Sequence, residues 1–212
     1  MPTLEQARTW YPKDDPVHGF DHILRVYRMA ERLAIVEDAN LEIVRAAALL
    51  HDVEGQGLQS GGSRANHQLA AAEFARQVLE AESWTETQVA AVQHCIRAHR
   101  FRDDREQPQT IEAMVLFDAD KLDAIGAIGA VRAIAYAVLD EQNLFGEPSA
   151  QFVATGEKAP GEPHTPYHEY LFKLRKLKDR MFTISGRAIA QERHAYLEGF
   201  FERLQAELRA DA

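Results

Sequence analysis

The spacing of apolar residues constrains the fold most, because it has a helical period along most of the chain. Between His22 and Val36 the apolar side chains form one stripe, made of Ile23, Val26, Tyr27, Ala30, Leu33 and Ala34. A second apolar run covers 41–53 and follows Asn40, a residue type that caps helix N-termini well. No segment of useful length has the alternation of a β-strand. The sequence therefore predicts an all-α protein.

Capping and breaking residues delimit the remaining helices. We predict a short first helix near residue 4 and a helix over 67–81. A further helix runs from the capping box at 83–86 to about residue 99, and others cover 111–139, 166–181 and 185–209. Capping boxes at Thr3-Leu4-Glu5-Gln6 and Ser83-Trp84-Thr85-Glu86 indicate two of the starts. Residues 140–165 are rich in turn formers and are predicted to form a long exposed loop. We expect one domain over 1–212, with its core at about 15–139, this loop, and C-terminal helices at about 166–209.

Charge and composition limit the partners and the compartment. The 212 residues include 24 basic and 33 acidic side chains, a net charge of −9, and such a chain is a poor candidate for binding nucleic acid. Cys95 is the single cysteine, so no intrachain disulfide can form, which favours a reducing compartment. The N-terminus lacks the features of a signal peptide, and no apolar run approaches the ~18 residues of a membrane span. We expect a cytoplasmic protein without membrane contact, and a homodimer is left open.

Histidine and aspartate residues occupy positions that favour a metal site. His51-Asp52 ends the apolar run at 46–50, where an unpaired charge would be costly to bury. His22 shares the apolar stripe of its helix, and Asp120 lies within a strongly apolar segment. A divalent cation would account for these polar groups. Two imidazoles and two carboxylates suit Mn²⁺, Mg²⁺, Ni²⁺, Fe²⁺ or Zn²⁺.

Three segments resemble the H…HD…D signature of the HD superfamily of metal-dependent phosphohydrolases. They are His22-Ile23-Leu24-Arg25-Val26, Ala48-Leu49-Leu50-His51-Asp52-Val53 and Asp118-Ala119-Asp120-Lys121-Leu122. The stretches DADKLDAIGAIG at 118–129 and HEYLFKLRKLKDRMFTISGRAIAQER at 168–193 are similar to a bacterial subgroup of small HD proteins. The resemblance implies an HD-domain helical bundle with C-terminal helices, built around one divalent metal ion. Its implied ligands are His22, His51, Asp52 and Asp120.

The resemblance also implies hydrolysis of a phosphoester or phosphoanhydride, in a nucleotide or another small phosphorylated metabolite. Some relatives of the subgroup hydrolyse nucleoside triphosphates and release pyrophosphate. Asp52, Glu54 and Asp123 are our candidates for orienting the attacking water. Arg25 and Lys121 adjoin the implied ligands and could neutralise phosphate charge.

Three further histidines, His67, His94 and His99, lie on the middle helices. Some HD enzymes hold two metal ions and draw extra histidines from this part of the chain. Substrate contact is our preferred prediction for these three residues, and a second metal ion is the alternative. The surroundings of Cys95 contain no catalytic-cysteine pattern, so we predict a buried apolar role for it.

Three other functions remain open at this stage. The first is a phosphodiesterase for cyclic nucleotides or other diesters, although the chain lacks the GYP element of the cyclic dinucleotide enzymes in this superfamily. The second is a di-iron oxygenase of the HD type, which requires a second metal ion. The third is a non-catalytic module that binds a metal or a nucleotide, and such a module would be expected to lose metal ligands.

Overall fold

The structure is a computed structural model that describes residues 1–12, 17, 19–53, 67–100 and 106–211, and no β-strand occurs among them. The predicted all-α class is therefore confirmed. The α-helices, in chain order, are α1 (Leu4–Arg8), α2 (Phe20–Val36), α3 (Leu41–Leu50), α4 (His67–Ala81), α5 (Glu86–Ala98), α6 (Ile111–Leu122), α7 (Gly126–Leu139), α8 (Ala150–Thr155), α9 (Pro166–Phe172) and α10 (Ile184–Leu208). A 3₁₀-helix (Leu174–Arg180) lies between α9 and α10.

The chain divides into two compact units, and the single domain over 1–212 stays a prediction. The first unit comprises Met1–Asp120 together with Phe182–Gly186, and the second comprises Lys121–Met181 and the chain from Arg187 onward. Helices α1 to α5 and all but the end of α6 belong to the first unit.

Helix α3 is the centre of the first unit. It packs against α2 and α5, and α5 in turn packs against α4. The Asn40 side chain caps α3 by accepting hydrogen bonds from the backbone amides of Glu42 and Ile43. Seven of the ten residues of α3 are buried, so the helix is apolar on nearly every side. His51 and Asp52 directly follow its last residue, Leu50, so these two polar side chains lie at the end of an apolar helix.

The start of α5 differs from the predicted capping box. Thr85, and not Ser83, is the N-cap, and its side chain accepts from the Gln88 amide while the Gln88 side chain accepts from the Thr85 amide. Ser83 instead ends the preceding turn, because its amide donates to Glu80 O and its φ is +62°. The predicted box at Ser83 and Glu86 is therefore wrong by two residues.

The long helix predicted over 111–139 is two helices, α6 and α7. The chain turns after Leu122 and resumes its helix at Gly126, whose φ of +77° favours glycine. Glycine is also required three residues later, because a Cβ at Gly129 would lie 2.3 Å from the carbonyl oxygen of Ala124. These two glycines are the sequence signal for the break.

Helix α7 has one charged side chain, Arg132, among its fourteen residues. The Arg132 guanidinium donates to the Asp123 carboxylate at 2.9 Å and to the Asp123 carbonyl at 3.2 Å.

No single helix in the described part of the chain is long and apolar enough to cross a membrane, and α6 with α7 reaches that length and hydropathy only as a bent pair.

The segment at 140–165 contains helix α8 where a continuous loop is predicted. Its turns are held by the Glu162 carboxylate, which accepts from the amide and hydroxyl of Ser149 and from the Ala159 amide, all at 2.6 Å. The buried His168 ring also donates to Glu162, at 3.0 Å. These hydrogen bonds, first those from Ser149, lower the pKa of Glu162 to about 2.

We predict that Glu162→Gln lowers the melting temperature at pH 7, because the amide replaces a carboxylate that accepts four hydrogen bonds. The Glu162 pKa lies below its ordinary value of 4.5, so its contribution is present above that pH and is lost as the pH falls toward 2. The difference in melting temperature between wild type and variant should therefore shrink on acidification. Thermal unfolding followed by circular dichroism measures it. The exposed Glu157→Gln is the control, and an equal loss in that variant would contradict the assignment.

Candidate metal centre

Six histidine and aspartate side chains from five helices meet around Asp52, all within the first unit. His51 and Asp52 follow the last residue of α3, and each of the other four comes from a different helix. These are His22 near the start of α2, His67 at the start of α4, His99 at the C-cap of α5 and Asp120 near the end of α6. The site therefore depends on how the helices pack, since neighbouring residues in the chain supply only one pair.

One carboxylate oxygen of Asp52 faces His22 and His51. The Nε2 atom of His22 lies 3.9 Å from Asp52 Oδ2, and the Nε2 atom of His51 lies 4.0 Å from it. Asp120 adjoins this group through His22, with Oδ1 3.5 Å from His22 Nε2. The ligand atoms of His22, His51 and Asp52 lie close enough together to bind one metal ion. Such spacings are too long for hydrogen bonds, but they suit ligand atoms that each lie about 2.1 Å from a shared cation.

The other carboxylate oxygen of Asp52 faces His67 and His99. Its distances are 3.3 Å to His67 Nε2 and 3.6 Å to His99 Nε2. These three residues form a second group that could hold a metal ion, and it shares Asp52 with the first group. The rings of His51 and His99 lie edge to face with centroids 5.1 Å apart.

Backbone hydrogen bonds fix the orientation of two of the imidazoles. Nδ1 of His51 lies 2.9 Å from the carbonyl oxygen of Ala48, and Nδ1 of His99 lies 2.5 Å from that of Ile96. A carbonyl can only accept, so each Nδ1 carries the proton and each Nε2 presents a lone pair toward Asp52. The His51 Nε2 atom is buried and has no hydrogen-bond partner in the described part of the chain. A metal ion at this atom would satisfy it, so the residues present fit a divalent cation.

The protonation states of His51 and Asp52 are those that metal ligands need. Burial lowers the pKa of His51 to about 4, against an opposing effect of the Asp52 charge, so the imidazole is neutral at pH 7. Burial acts to raise the pKa of Asp52, but the nearby rings of His51, His67 and His99 outweigh it and hold this pKa well below its usual range. A neutral imidazole and an ionised carboxylate can bind a cation without first releasing a proton.

His94 lies outside the cluster. Its Nδ1–H donates to Glu106 Oε1 at 2.7 Å, and its Nε2 accepts from the backbone amide of Gln109 at 3.1 Å. Arg97 donates to the same Glu106 carboxylate, also at 2.7 Å. Both ring nitrogens of His94 are thus engaged away from Asp52, and this geometry does not bring His94 together with His67 and His99 as the sequence analysis grouped them.

The predicted catalytic and phosphate-binding residues fall in several places. Arg25 is half-buried on α2, three residues after His22. Lys121 and Asp123 belong to the second unit, where Lys121 is buried and Asp123 forms the ion pair with Arg132. Glu54 lies outside the described residues.

Cys95 is fully buried, and burial raises the pKa of its thiol, which agrees with the predicted apolar role.

The model of the HD domain family matches residues 19–125 of this chain. Among curated proteins, the YpgQ protein of Bacillus subtilis (strain 168) is 30% identical over 211 residues, which cover 96% of this chain and 93% of that protein. The matched region of the family model contains every side chain of the cluster around Asp52.

Solved structures resemble this chain over almost its whole length. A protein of Lactobacillus plantarum is 33% identical with a TM-score of 0.75, covering 98% of this chain and 95% of that one. Bacillus subtilis YpgQ in complex with ADP is 26% identical with a TM-score of 0.73, and the match covers 99% of this chain and 100% of that one. An HD-superfamily hydrolase of Bacillus thuringiensis is 28% identical with a TM-score of 0.70, and the match covers 98% of this chain and 97% of that one. The chain belongs to the HD domain family and shares the fold of HD-superfamily hydrolases.

Proposed function

We propose that this protein is a metal-dependent phosphohydrolase that acts on nucleotides. The observation that supports the proposal most strongly is the buried Nε2 atom of His51, which has no hydrogen-bond partner among the described residues and faces the ionised Asp52. A buried lone pair beside the half-buried, negatively charged Asp52 is unfavourable unless a cation lies between them.

In this proposal His22, His51, Asp52 and Asp120 hold a divalent cation. Bound there, the cation would polarise a phosphoryl oxygen and lower the pKa of a water molecule. Mn²⁺, Mg²⁺, Ni²⁺, Fe²⁺ and Zn²⁺ all accept this mixture of imidazole and carboxylate ligands.

The chain's own residues hold the site in a fixed geometry. The Ala48 and Ile96 carbonyls fix the rings of His51 and His99, so no rotation is needed when a ligand binds. Asp52 is ionised at neutral pH and is our first candidate for accepting a proton from water. Asp123 is a weaker candidate, because its carboxylate is already paired with Arg132 at 2.9 Å.

Basic side chains next to the ligands would bind the phosphate groups of the substrate. Arg25 follows His22 by three residues on α2, and this spacing places the two side chains on neighbouring positions of one helix face. Lys121 follows Asp120 directly in the sequence. A guanidinium can donate two parallel hydrogen bonds to a phosphate, so Arg25 is our main candidate for this role.

The substrate class in this proposal is a nucleoside phosphate. YpgQ of Bacillus subtilis, whose structure resembles this chain over its whole length, has been crystallised with ADP. We propose cleavage of a nucleoside triphosphate to a monophosphate and pyrophosphate. Retention of all four implied ligands argues against a purely regulatory module.

A di-iron oxygenase is the second candidate, and a specific group of residues supports it. Asp52, His67 and His99 could hold a second ion next to the first, with Asp52 shared by both. The two functions differ in metal content and in the need for oxygen. Iron at two ions per chain with oxygen consumption would favour the oxygenase, and hydrolysis of a phosphate without oxygen would favour the phosphohydrolase.

We predict that His51→Ala weakens Mn²⁺ binding by more than the roughly 10- to 100-fold that loss of a supporting partner costs. His94→Ala should bind the metal as the wild type does, because its ring is engaged by Glu106 and Gln109. Calorimetric titration measures both affinities. Saturating Mn²⁺ should also stabilise the wild type, by about 2.7 kcal/mol at a hundred times the dissociation constant. Equal Mn²⁺ affinities in the two variants would exclude His51 as a ligand.

We predict that the wild type with Mn²⁺ or Mg²⁺ converts at least one nucleoside triphosphate to its monophosphate and pyrophosphate. Asp120→Ala should abolish this turnover, and the exposed Arg28→Ala should retain it. Product chromatography with a pyrophosphate assay identifies the bond that is cleaved. Release of orthophosphate alone would contradict the proposed bond. Full activity in a metal-replete Asp120→Ala protein would remove Asp120 from the ligand set.

We predict that Arg25→Ala raises the KM for the nucleotide by roughly 10- to 100-fold, the size expected for a lost hydrogen bond between charged groups. Metal affinity should stay at its wild-type value, since Arg25 supplies no ligand. The exposed Arg28→Ala, on the same helix, is the matched control and should leave the KM unchanged. Similar KM values in the two variants would show that Arg25 does not bind the phosphate.

A further inference from the structure

A second aspartate of α6, Asp118, is fully buried and contacts the start of α10. Its Oδ1 accepts from the Phe182 amide at 2.9 Å, and its Oδ2 accepts from the Thr183 amide at 2.8 Å and from the Thr183 hydroxyl at 2.7 Å. We call Asp118, Phe182, Thr183 and Gly186 the Asp118 anchor. All four residues belong to the first unit, as does Asp120.

Gly186 leaves room for the Asp118 carboxylate and the Thr183 hydroxyl, because it has no side chain. A Cβ at this position would lie 2.3 Å from Asp118 Oδ2 and 2.6 Å from Thr183 Oγ1, which is closer than real side chains come. The Gly186 amide donates to the Thr183 hydroxyl at 2.9 Å, and the same hydroxyl donates to Asp118. Both carboxylate oxygens of Asp118 and the Thr183 hydroxyl therefore have partners inside the anchor, and position 186 requires glycine.

The carboxylate of Asp118 suits this place electrostatically. The first amides of a helix have no partner within the helix, and the N-terminus carries a partial positive charge. Asp118 satisfies two amides next to the start of α10, and the Glu37 carboxylate accepts from a third, that of Ser185, at 2.8 Å. Glu37 follows the last residue of α2, the helix that carries His22.

The chain crosses from one unit to the other at three places, and each place lies at or within two residues of an anchor residue in the sequence. The chain leaves the first unit after Asp120, two residues beyond Asp118. It returns at Phe182 and leaves again after Gly186, and both of these residues belong to the anchor. The hydrogen bonds of Asp118 to Phe182 and Thr183 therefore hold the part of α6 that carries Asp120.

We propose that Asp118 is a positioning residue for the metal centre, an inference that rests on the proposed function. Its three hydrogen bonds fix the rotation and the position of the end of α6, and this keeps Asp120 Oδ1 3.5 Å from His22 Nε2. Asp118 and Asp120 lie two residues apart on a helix, so their side chains point in different directions, by about 160°. Asp118 thus acts on the metal through Asp120 and does not bind it.

The test measures Mn²⁺ affinity of the folded protein in three variants. Asp118→Asn keeps the shape of the side chain but removes its charge and one acceptor. Thr183→Val removes the hydroxyl, and Thr183→Ser keeps it. We expect Asp118→Asn to weaken Mn²⁺ binding by roughly 10- to 100-fold, as loss of a supporting partner does at other metal sites. Thr183→Val should show a smaller loss, and Thr183→Ser should restore wild-type affinity.

Glu162→Gln is the control for a purely structural role. Glu162 also accepts hydrogen bonds, two from backbone amides and two from side chains, but all come from residues between 149 and 168 in the second unit. Its loss should lower the melting temperature without changing Mn²⁺ affinity. The inference is overturned if Asp118→Asn, or Thr183→Val where the asparagine variant does not fold, lowers the melting temperature but binds Mn²⁺ as the wild type does. Absence of Mn²⁺ binding in the wild type would instead overturn the proposed function.

Discussion

The central constraint on this structure is the burial of three imidazoles around the half-buried carboxylate of Asp52. His22, His51 and His99 are almost fully buried, and Asp52 is ionised among them. Leaving one buried polar group unsatisfied costs about 1–3 kcal/mol, and an unpaired charge costs more. The described protein atoms leave the His51 Nε2 atom without a partner, so the cluster is fully satisfied only by a ligand that accepts lone pairs. A divalent cation meets that condition.

Two helix ends present their histidines in the same way. His51 is the C-cap of α3 and His99 is the C-cap of α5, and each donates its Nδ1 proton to the carbonyl three residues earlier. The last carbonyls of a helix lack partners within the helix, so this bond satisfies the helix end and orients the ring at once. Asp118 lies at the opposite end of a helix, where it accepts from the amides of the two residues that precede α10. Capping interactions thus define the geometry of the site.

Much of this arrangement could be predicted from the sequence, and the failures have physical reasons. Apolar periodicity locates the helices of the first unit, and the resemblance indicates His22, His51, Asp52 and Asp120, three of which form one group. The pattern does not distinguish His94 from His99, because five residues of helix turn the side chain by about 140°, and only packing determines which one faces Asp52. The break between α6 and α7 was missed because glycine permits both close helix packing and a turn of positive φ.

A cation held by residues from separate helices would be detected by anomalous diffraction. Crystals of the wild-type protein grown with Mn²⁺ should be measured on both sides of the manganese absorption edge. We expect an anomalous peak within bonding distance of the Nε2 atoms of His22 and His51 and of an Asp52 oxygen. A clear anomalous map with no peak at these atoms, or with its peaks only at other residues, would contradict it.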